Sequence, residues 1–318
     1  MSRRALLLVV VLLAATGVAG CGLGAESGGD PAEGVMLRVT EDFGSELVGP
    51  GSEVRAAEGD TVMRLLQREV EVETRDGGTS VQALEGRAAG EQDGRPVDWF
   101  YYVNGMAADV GPVEFRISEG DRVWWDLHDS GSAKRIPAVV GSFPEPFLSG
   151  YRGKRIPVRI ECAGEVGREC DEVAARLSSA GVKATSRAIL TQNEEGGVLR
   201  VLVGRWSDLR KDPTAMRLER GPEQSGVFAR FGDAGRRLDV LDPRGRVARR
   251  LGEGAGLVAA TRQGESRPVW FVTGTDEVGL AAAAAALDES LLAERFAVAI
   301  ENGQLVPAPV TVPGAPAP

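Results

Sequence analysis

The segment Asp98-Trp99-Phe100-Tyr101-Tyr102-Val103-Asn104-Gly105, together with Gly120-Asp121-Arg122-Val123-Trp124-Trp125-Asp126, gives the strongest structural signal in the sequence. These two segments contain three of the five Trp and two of the three Tyr residues of the 318-residue chain. Aromatic and β-branched residues favour strands, and Asn-Gly favours a tight turn. The two segments therefore predict two strands of one sheet.

The residues around these segments predict an α+β domain over 35–128. A helix is expected where an Asp/Thr cap precedes apolar residues at helical spacing, and a hairpin where a Gly-rich turn separates two alternating runs. The predicted elements are a strand at Met36–Thr40, a helix at Glu58–Leu66, a hairpin of Val70–Thr74 with Thr79–Leu84, and a further strand at Val113–Ile117.

Three motifs in this order resemble the domains that are similar to the C-terminal domain of transcobalamin. They are Gly59-Asp60-Thr61-Val62, Trp99–Gly105 and Gly120–Trp124. The resemblance implies a compact β-grasp-like sheet with one helix, on a secreted or surface-anchored bacterial protein. It also implies that the Asn-Gly turn and its aromatic neighbours face a ligand. In the animal cobalamin carriers this domain closes over cobalamin held against a helical barrel, and this sequence contains no such barrel.

Alternation along the aromatic strand separates its side chains into two faces. Trp99, Tyr101 and Val103 are uniformly bulky and are expected to face the core, whereas Phe100, Tyr102 and Asn104 become more polar toward the turn. The second face is either a further part of the core or a binding surface. The candidate ligand-binding residues are Tyr102, Asn104, Trp125 and His128.

His128 is the only histidine of the chain and directly follows the second aromatic segment. Two interpretations of His128 remain open. It is either an exposed or capping side chain, or a ligand or catalytic group.

The N-terminus resembles that of a bacterial lipoprotein. Arg3 and Arg4 precede the apolar run Ala5–Ala15, and Val18-Ala19-Gly20-Cys21 has the form of a lipobox. We therefore expect a signal peptide at 1–20, lipidation of Cys21, a flexible tether at 21–34, and anchoring on the outer face of the bacterial membrane. The alternative is an ordinary signal peptide with an incidental Cys.

The rest of the chain predicts a second domain of α/β type. Residues 129–155 contain several Pro and Gly residues and are interpreted as the connection, packed through Phe143, Phe147 and Tyr151, with a possible edge strand at 139–141. Strands and helices then alternate over 156–306, and 307–318 is predicted to be a disordered Pro-rich tail.

Charge and cysteine usage restrict the function classes. The net charge is −9, and the segment from Val35 to His128 contains nineteen acidic residues and nine arginines. This negative charge argues against nucleic acid as a partner. Cys162 and Cys170 are predicted to form a disulfide, because such a pair in an exported protein is usually oxidised. There is no Cys-x-x-Cys, and no metal or cofactor is expected.

The sequence contains no Gly-x-Ser-x-Gly. Gly274-Thr275-Asp276 before a predicted helix is either an anion cradle or a plain capping loop. We therefore expect a non-catalytic, lipid-anchored binding protein for a small molecule or an envelope component. The alternatives are a structural or protein-interaction lipoprotein without a small ligand and, by the resemblance, a protein with cobalamin-related binding.

Overall fold

The computed structural model describes residues 34–311 except Glu58, Asp93 and 190–196. The predicted signal peptide, Cys21, nearly all of the tether and residues 312–318 lie outside the described residues. The described residues cluster into one compact unit, in which we call 34–129 the first lobe and 156–311 the second lobe.

Strand outweighs helix throughout, which is consistent with the predicted α+β class. The strands are β1 Val35–Glu41, β2 Glu46–Val54, β3 Val72–Arg75, β4 Ser80–Leu84, β5 Arg87–Ala88, β6 Gly90–Gln92, β7 Arg95–Val103, β8 Met106–Ala107, β9 Arg122–Asp129, β10 Val158–Cys162, β11 Ala184–Ala188, β12 Leu199–Arg205, β13 Ala229–Gly232, β14 Arg237–Leu241, β15 Val247–Leu251, β16 Gly256–Thr261, β17 Val269–Gly274, β18 Ala297–Glu301 and β19 Gln304–Ala308. The α-helices are α1 Val62–Glu69, α2 Gly167–Ser179, α3 Trp206–Leu209, α4 Ala215–Glu219, α5 Pro222–Ser225, α6 Glu277–Ala285 and α7 Glu289–Leu292.

The main sheet of the first lobe has the order β2-β1-β9-β7-β6, with β8 paired to β7. Its central pair, β1 and β9, is parallel, and the other neighbours are antiparallel. Helix α1 begins at the Thr61 cap, whose hydroxyl accepts the Arg64 N–H. Its apolar residues Val62, Leu65 and Leu66 are fully buried in the same core as Trp99 and Trp125.

The predicted strand at Val113–Ile117 is wrong. Pro112 has no N–H to donate to a ladder, and the amides of Glu114 and Phe115 both bond to Gly111 O, which closes a turn. Only an isolated bridge between Thr61 and Arg116 remains. Phe115 is nevertheless fully buried. The alternation therefore correctly identified Phe115 as a core residue, although it lies in a loop and not in a strand.

Strand β2 was not predicted, because its sequence ELVGPGSEV lacks regular alternation. It lies at the edge of the sheet, and most of its residues are exposed or half-buried. An edge strand with one partner needs few apolar residues, and Pro50 is tolerated there.

The main sheet of the second lobe has the order β11-β10-β12-β17-β16-β18-β19. Strands β11, β10, β12 and β17 run parallel, and β16, β18 and β19 add antiparallel pairs. Helix α6 approaches this sheet closely because glycines line the contact. A Cβ at Gly279 would lie 2.1 Å from the Ala255 oxygen, and one at Gly274 would lie 2.2 Å from the Leu280 nitrogen.

A three-stranded antiparallel sheet, β13-β14-β15, completes the second lobe. Its inner face carries Phe231, which stacks on Trp206 with ring centroids 4.3 Å apart. Phe231, Leu238 and Leu251 form one buried cross-strand row.

The connection is packed, as its aromatic residues predicted. Phe143, Phe147 and Tyr151 are all buried. The possible edge strand at 139–141 is replaced by an isolated bridge between Met106 and Ala138 and by single backbone bonds, such as Val139 N–H to Gly105 O at 2.8 Å.

The predicted start of the tail at residue 307 is wrong. Strand β19 continues to Ala308, which is 1% exposed, and the Val310 N–H bonds to Leu241 O at 2.8 Å. Pairing with β18 satisfies this backbone despite its proline content, since β19 is an edge strand.

Within the described ranges, no helix has the length and apolar character needed to cross a membrane.

The disulfide between Cys162 and Cys170 is confirmed. It joins the end of β10 to the first turns of α2 across eight positions of sequence. By loop-closure entropy such a short crosslink contributes about 2.5 kcal/mol to stability.

We predict that replacing both cysteines, Cys162→Ser with Cys170→Ser, lowers the free energy of unfolding by about 2.5 kcal/mol, because the unfolded chain regains the lost entropy. Denaturant unfolding of wild type and variant measures the difference, with reductant-treated wild type as the control. Equal midpoints for all three samples would show that the crosslink has no such effect.

Candidate functional site

The second face of the aromatic strands, which we call the interlobe face, consists of Phe100, Tyr102, Trp124, Asp126 and His128. Antiparallel pairing places Phe100 opposite Asp126 and Tyr102 opposite Trp124, so these side chains are direct cross-strand neighbours. The alternation that put Phe100 and Tyr102 on one face is thus confirmed by the register.

The interlobe face is covered by the second lobe. The ring of Phe296, which directly precedes β18, lies 5.7 Å from that of Tyr102 and 5.0 Å from that of Trp124, both edge to face. Tyr102 is 1% exposed, and burial raises the pKa of its hydroxyl well above the usual value. Of the two alternatives for this face, a further part of the core or a binding surface, the burial of Tyr102 favours the core, because a second layer of aromatic side chains packs on it.

His128 lies in an aromatic sandwich. Its ring stacks on Phe43 at 4.6 Å and on Phe100 at 4.4 Å, and Phe296 meets it edge-on at 5.3 Å. The side chain is almost fully buried, so the expectation of an exposed or capping His is wrong. A substrate could reach this imidazole only if the two lobes separated.

Asp126 is the centre of a buried hydrogen-bond network. Its carboxylate accepts bonds from the Thr40 hydroxyl at 2.5 Å, from His128 Nδ1–H at 2.7 Å, and from the amides of Phe43 and Gly44 at 3.1 and 2.8 Å. Trp124 Nε1–H donates to the Thr40 hydroxyl at 2.7 Å. The network ties the β1–β2 turn to strand β9.

The Thr40 hydroxyl bonds to the carboxylate of Asp126, so this arrangement lacks the hydroxyl–imidazole contact of a Ser–His type of site. The network is suited to holding Phe43 against the interlobe face, because charge-assisted bonds to backbone amides are strong in a buried setting.

Asn104 is buried at the end of the aromatic strand. Its side-chain amide donates to Asp121 Oδ1 at 2.8 Å and to Gly150 O at 2.9 Å, and its oxygen accepts the Arg122 N–H at 2.8 Å. Asn104 has a φ of +53°, which a tight Asn-Gly turn requires. Burial raises the pKa of the Asp121 carboxyl, opposed by hydrogen bonds from Ser118 and Asn104.

Trp125 lies on the opposite face of the sheet. It stacks on Tyr101 at 4.8 Å in the core of the first lobe. Of the four candidate ligand-binding residues, Tyr102 and His128 therefore share the interlobe face, Asn104 lies at its end, and Trp125 is separate from them.

A cleft of about 80 Å³ opens beside Trp124, between the first sheet and α7. Arg38 and Arg122 line it and pair with Glu294 and Glu289 of the second lobe at 2.9 and 2.5 Å. Its full lining is Met36, Arg38, Arg122, Val123, Trp124, Gly141, Ser142, Glu289 and Ala293. Sequence reasoning missed this site, because its residues come from segments separated by up to 257 positions, from Met36 to Ala293, and form no local motif.

The glycine-rich loop before α6 is a capping loop. The Asp276 carboxylate accepts the amides of Gly279 at 2.8 Å and Gly254 at 2.7 Å, so a side chain already occupies the position that an anion would take. In the part of the chain that the structure describes, no three His, Cys, Asp or Glu side chains are grouped to hold a metal ion.

Residues 59–129 match the family described as "Domain of unknown function (DUF4430)". The match extends from the residues just before α1 to the end of β9 and so contains the aromatic strands and the whole interlobe face. A comparison with curated proteins finds no match.

We predict that Tyr102→Ala and Phe296→Ala each lower the free energy of unfolding by about 3–5 kcal/mol, because each removes a buried ring. The double variant should show a coupling of about 0.5–1.5 kcal/mol, since the two rings contact each other. Chemical denaturation measures all three, with the exposed Leu47→Ala as control. Strictly additive effects would contradict contact between the lobes.

Proposed function

We propose that this chain is a lipid-anchored, non-catalytic interaction protein on the outer face of the bacterial membrane, with a transcobalamin-like first lobe. The observation that carries the proposal is the burial of the interlobe face. The aromatic side chains that the resemblance assigns to ligand contact are used to hold the second lobe.

The topology of the first lobe supports its β-grasp-like character. A parallel central pair, β1 and β9, is flanked by antiparallel strands, and the helix α1 packs into the core of the sheet. This is the one-helix, mixed-sheet arrangement that the three sequence motifs imply.

The burial of the candidate ligand-binding residues favours an interaction role over small-molecule binding. Tyr102, Asn104 and His128 are at most 2% exposed, and each contacts other parts of the same chain. Binding sites for small molecules usually enclose about 300–1,000 Å³. The cleft beside Trp124 measures about 80 Å³, which suits only a very small ligand.

The second candidate is a binding protein for a small anion at that cleft. One specific observation favours it: the Nε of Arg38 is buried and has no hydrogen-bond partner among the described residues. Its guanidinium and that of Arg122 line the same space. Both are already paired with glutamates, so an anion would have to compete with Glu289 and Glu294.

Membrane attachment is tested by Cys21→Ser in the native bacterium. Bacterial lipoproteins carry more than one acyl chain, and stable anchoring needs more than a single chain. We expect the variant to leave the membrane fraction or to remain unprocessed, as followed by fractionation and immunoblotting. A control Ser2→Ala should fractionate like wild type. Normal processing with unchanged membrane association of Cys21→Ser would refute the proposed anchor.

Cobalamin should not bind tightly, because tight affinity requires buried and preorganised contact. The face that would meet it is closed by Phe296 and its neighbours. Isothermal titration of the purified chain with cobalamin should show no sub-micromolar binding. A sub-micromolar dissociation constant that Phe296→Ala strengthens further would instead indicate a ligand site beneath the second lobe.

A further inference from the structure

The three-stranded sheet of the second lobe presents opposite chemistry on its two faces. Alternation places Phe231, Leu238 and Leu251 on the buried inner face. The adjacent row, Arg230–Asp239–Arg250, therefore faces outward across β13, β14 and β15.

Three arginines surround one carboxylate on this outer face. Arg237 bonds to Asp239 at 2.9 Å, and the Nε atoms of Arg230 and Arg250 lie 3.8 and 3.9 Å from its oxygens. The Asp239 side chain is 5% exposed, whereas those of Arg230, Arg237 and Arg250 are 42%, 44% and 71% exposed. We call these four residues the arginine face; it carries a formal charge of +2.

Gly232 shapes this face. It pairs with Arg237 across the strands, and a Cβ there would lie 2.5 Å from the Arg237 Nη2. The missing side chain leaves room for the Arg237 guanidinium beside Gly232.

Three neighbouring arginines are each paired with another acid. Arg236 pairs with Asp233, Arg246 with Asp242, and Arg249 with Glu301, at 3.0, 2.7 and 2.6 Å. The arginine face differs because three guanidiniums share a single carboxylate, so positive charge remains in excess on a chain whose net charge is −9.

We propose that the arginine face binds a linear polyanion of the cell envelope whose charges are phosphates. A guanidinium offers a planar fork of N–H donors that matches two oxygens of a phosphate. Neighbouring strands lie about 4.8 Å apart, so the row spans about 10 Å, and a single extended chain can lie along it.

A single polymer chain can lie along the row of three guanidiniums. Binding to an extended anionic membrane surface is the competing outcome, and the vesicle arm of the test separates the two. The inference supplies a partner class for the proposed interaction role and rests on that role.

The test uses the purified full-length chain in nonionic detergent and inorganic polyphosphate as the probe. Three arginine–phosphate contacts predict that the logarithm of the binding constant falls with the logarithm of the salt concentration with a slope of about −2. The double variant Arg230→Gln with Arg250→Gln keeps one contact, so its slope should be about −0.7. The same relation predicts an affinity loss of about 25-fold at 0.1 M salt. The matched control is Arg236→Gln with Arg244→Gln, which removes the same charge outside the row.

Loss of binding in the row variant, with binding retained in the control and both chains folded by circular dichroism, supports the proposal. Equal binding by both variants, equal affinity for polyglutamate, or binding to phosphatidylglycerol vesicles without binding to polyphosphate would each overturn it. Because the assay does not depend on Cys21, its failure is distinguishable from failure of the proposed anchor, which fractionation measures.

Discussion

The buried carboxylate of Asp126 is the interaction on which the rest of the structure depends. It joins the two strands at the centre of the first sheet through Thr40, and it fixes the turn after β1 through the amides of Phe43 and Gly44. That turn projects Phe43 against His128 and against Phe228 of the second lobe. An unpaired carboxylate in this position would be costly, so the four donors and the acceptor are expected to persist or fail together.

The consequence for function is that the chain uses its most aromatic surface internally. Tyr102, Trp124 and His128 contact Phe296, and the Asn104 side chain is held by Gly150 of the connection. The face that a ligand would cover in a ligand-binding domain is therefore buried here by other parts of the same chain. This arrangement favours recognition through outward-facing surfaces, and it is the reason for proposing an interaction role.

Charge is distributed unevenly between the two lobes. The first lobe carries the acidic excess of the chain, whereas the second lobe concentrates arginines on the β13–β15 sheet. Arg236, Arg246 and Arg249 are neutralised in pairs, which by themselves contribute little to stability at an exposed surface. Arg230, Arg237 and Arg250 share Asp239 instead, and this excess gives the sheet a chemistry that the net charge of the chain conceals.

Local features were determined by the sequence alone, because they depend on neighbours along the chain. Alternation and the Asn-Gly pair identified β7 and its turn, and the proximity of the two cysteines identified the Cys162–Cys170 bridge. The pairs Asp60-Thr61 and Thr275-Asp276 marked the starts of two helices, and the structure shows that Thr61 and Asp276 are the caps. Only the tertiary structure decided which surface of β7 meets solvent. Periodicity left the face of Tyr102 as either core or binding surface, and Phe296, almost 200 positions later, covers it. Periodicity reports that a strand has two faces, but the second layer that buries a face comes from contacts that no local pattern encodes.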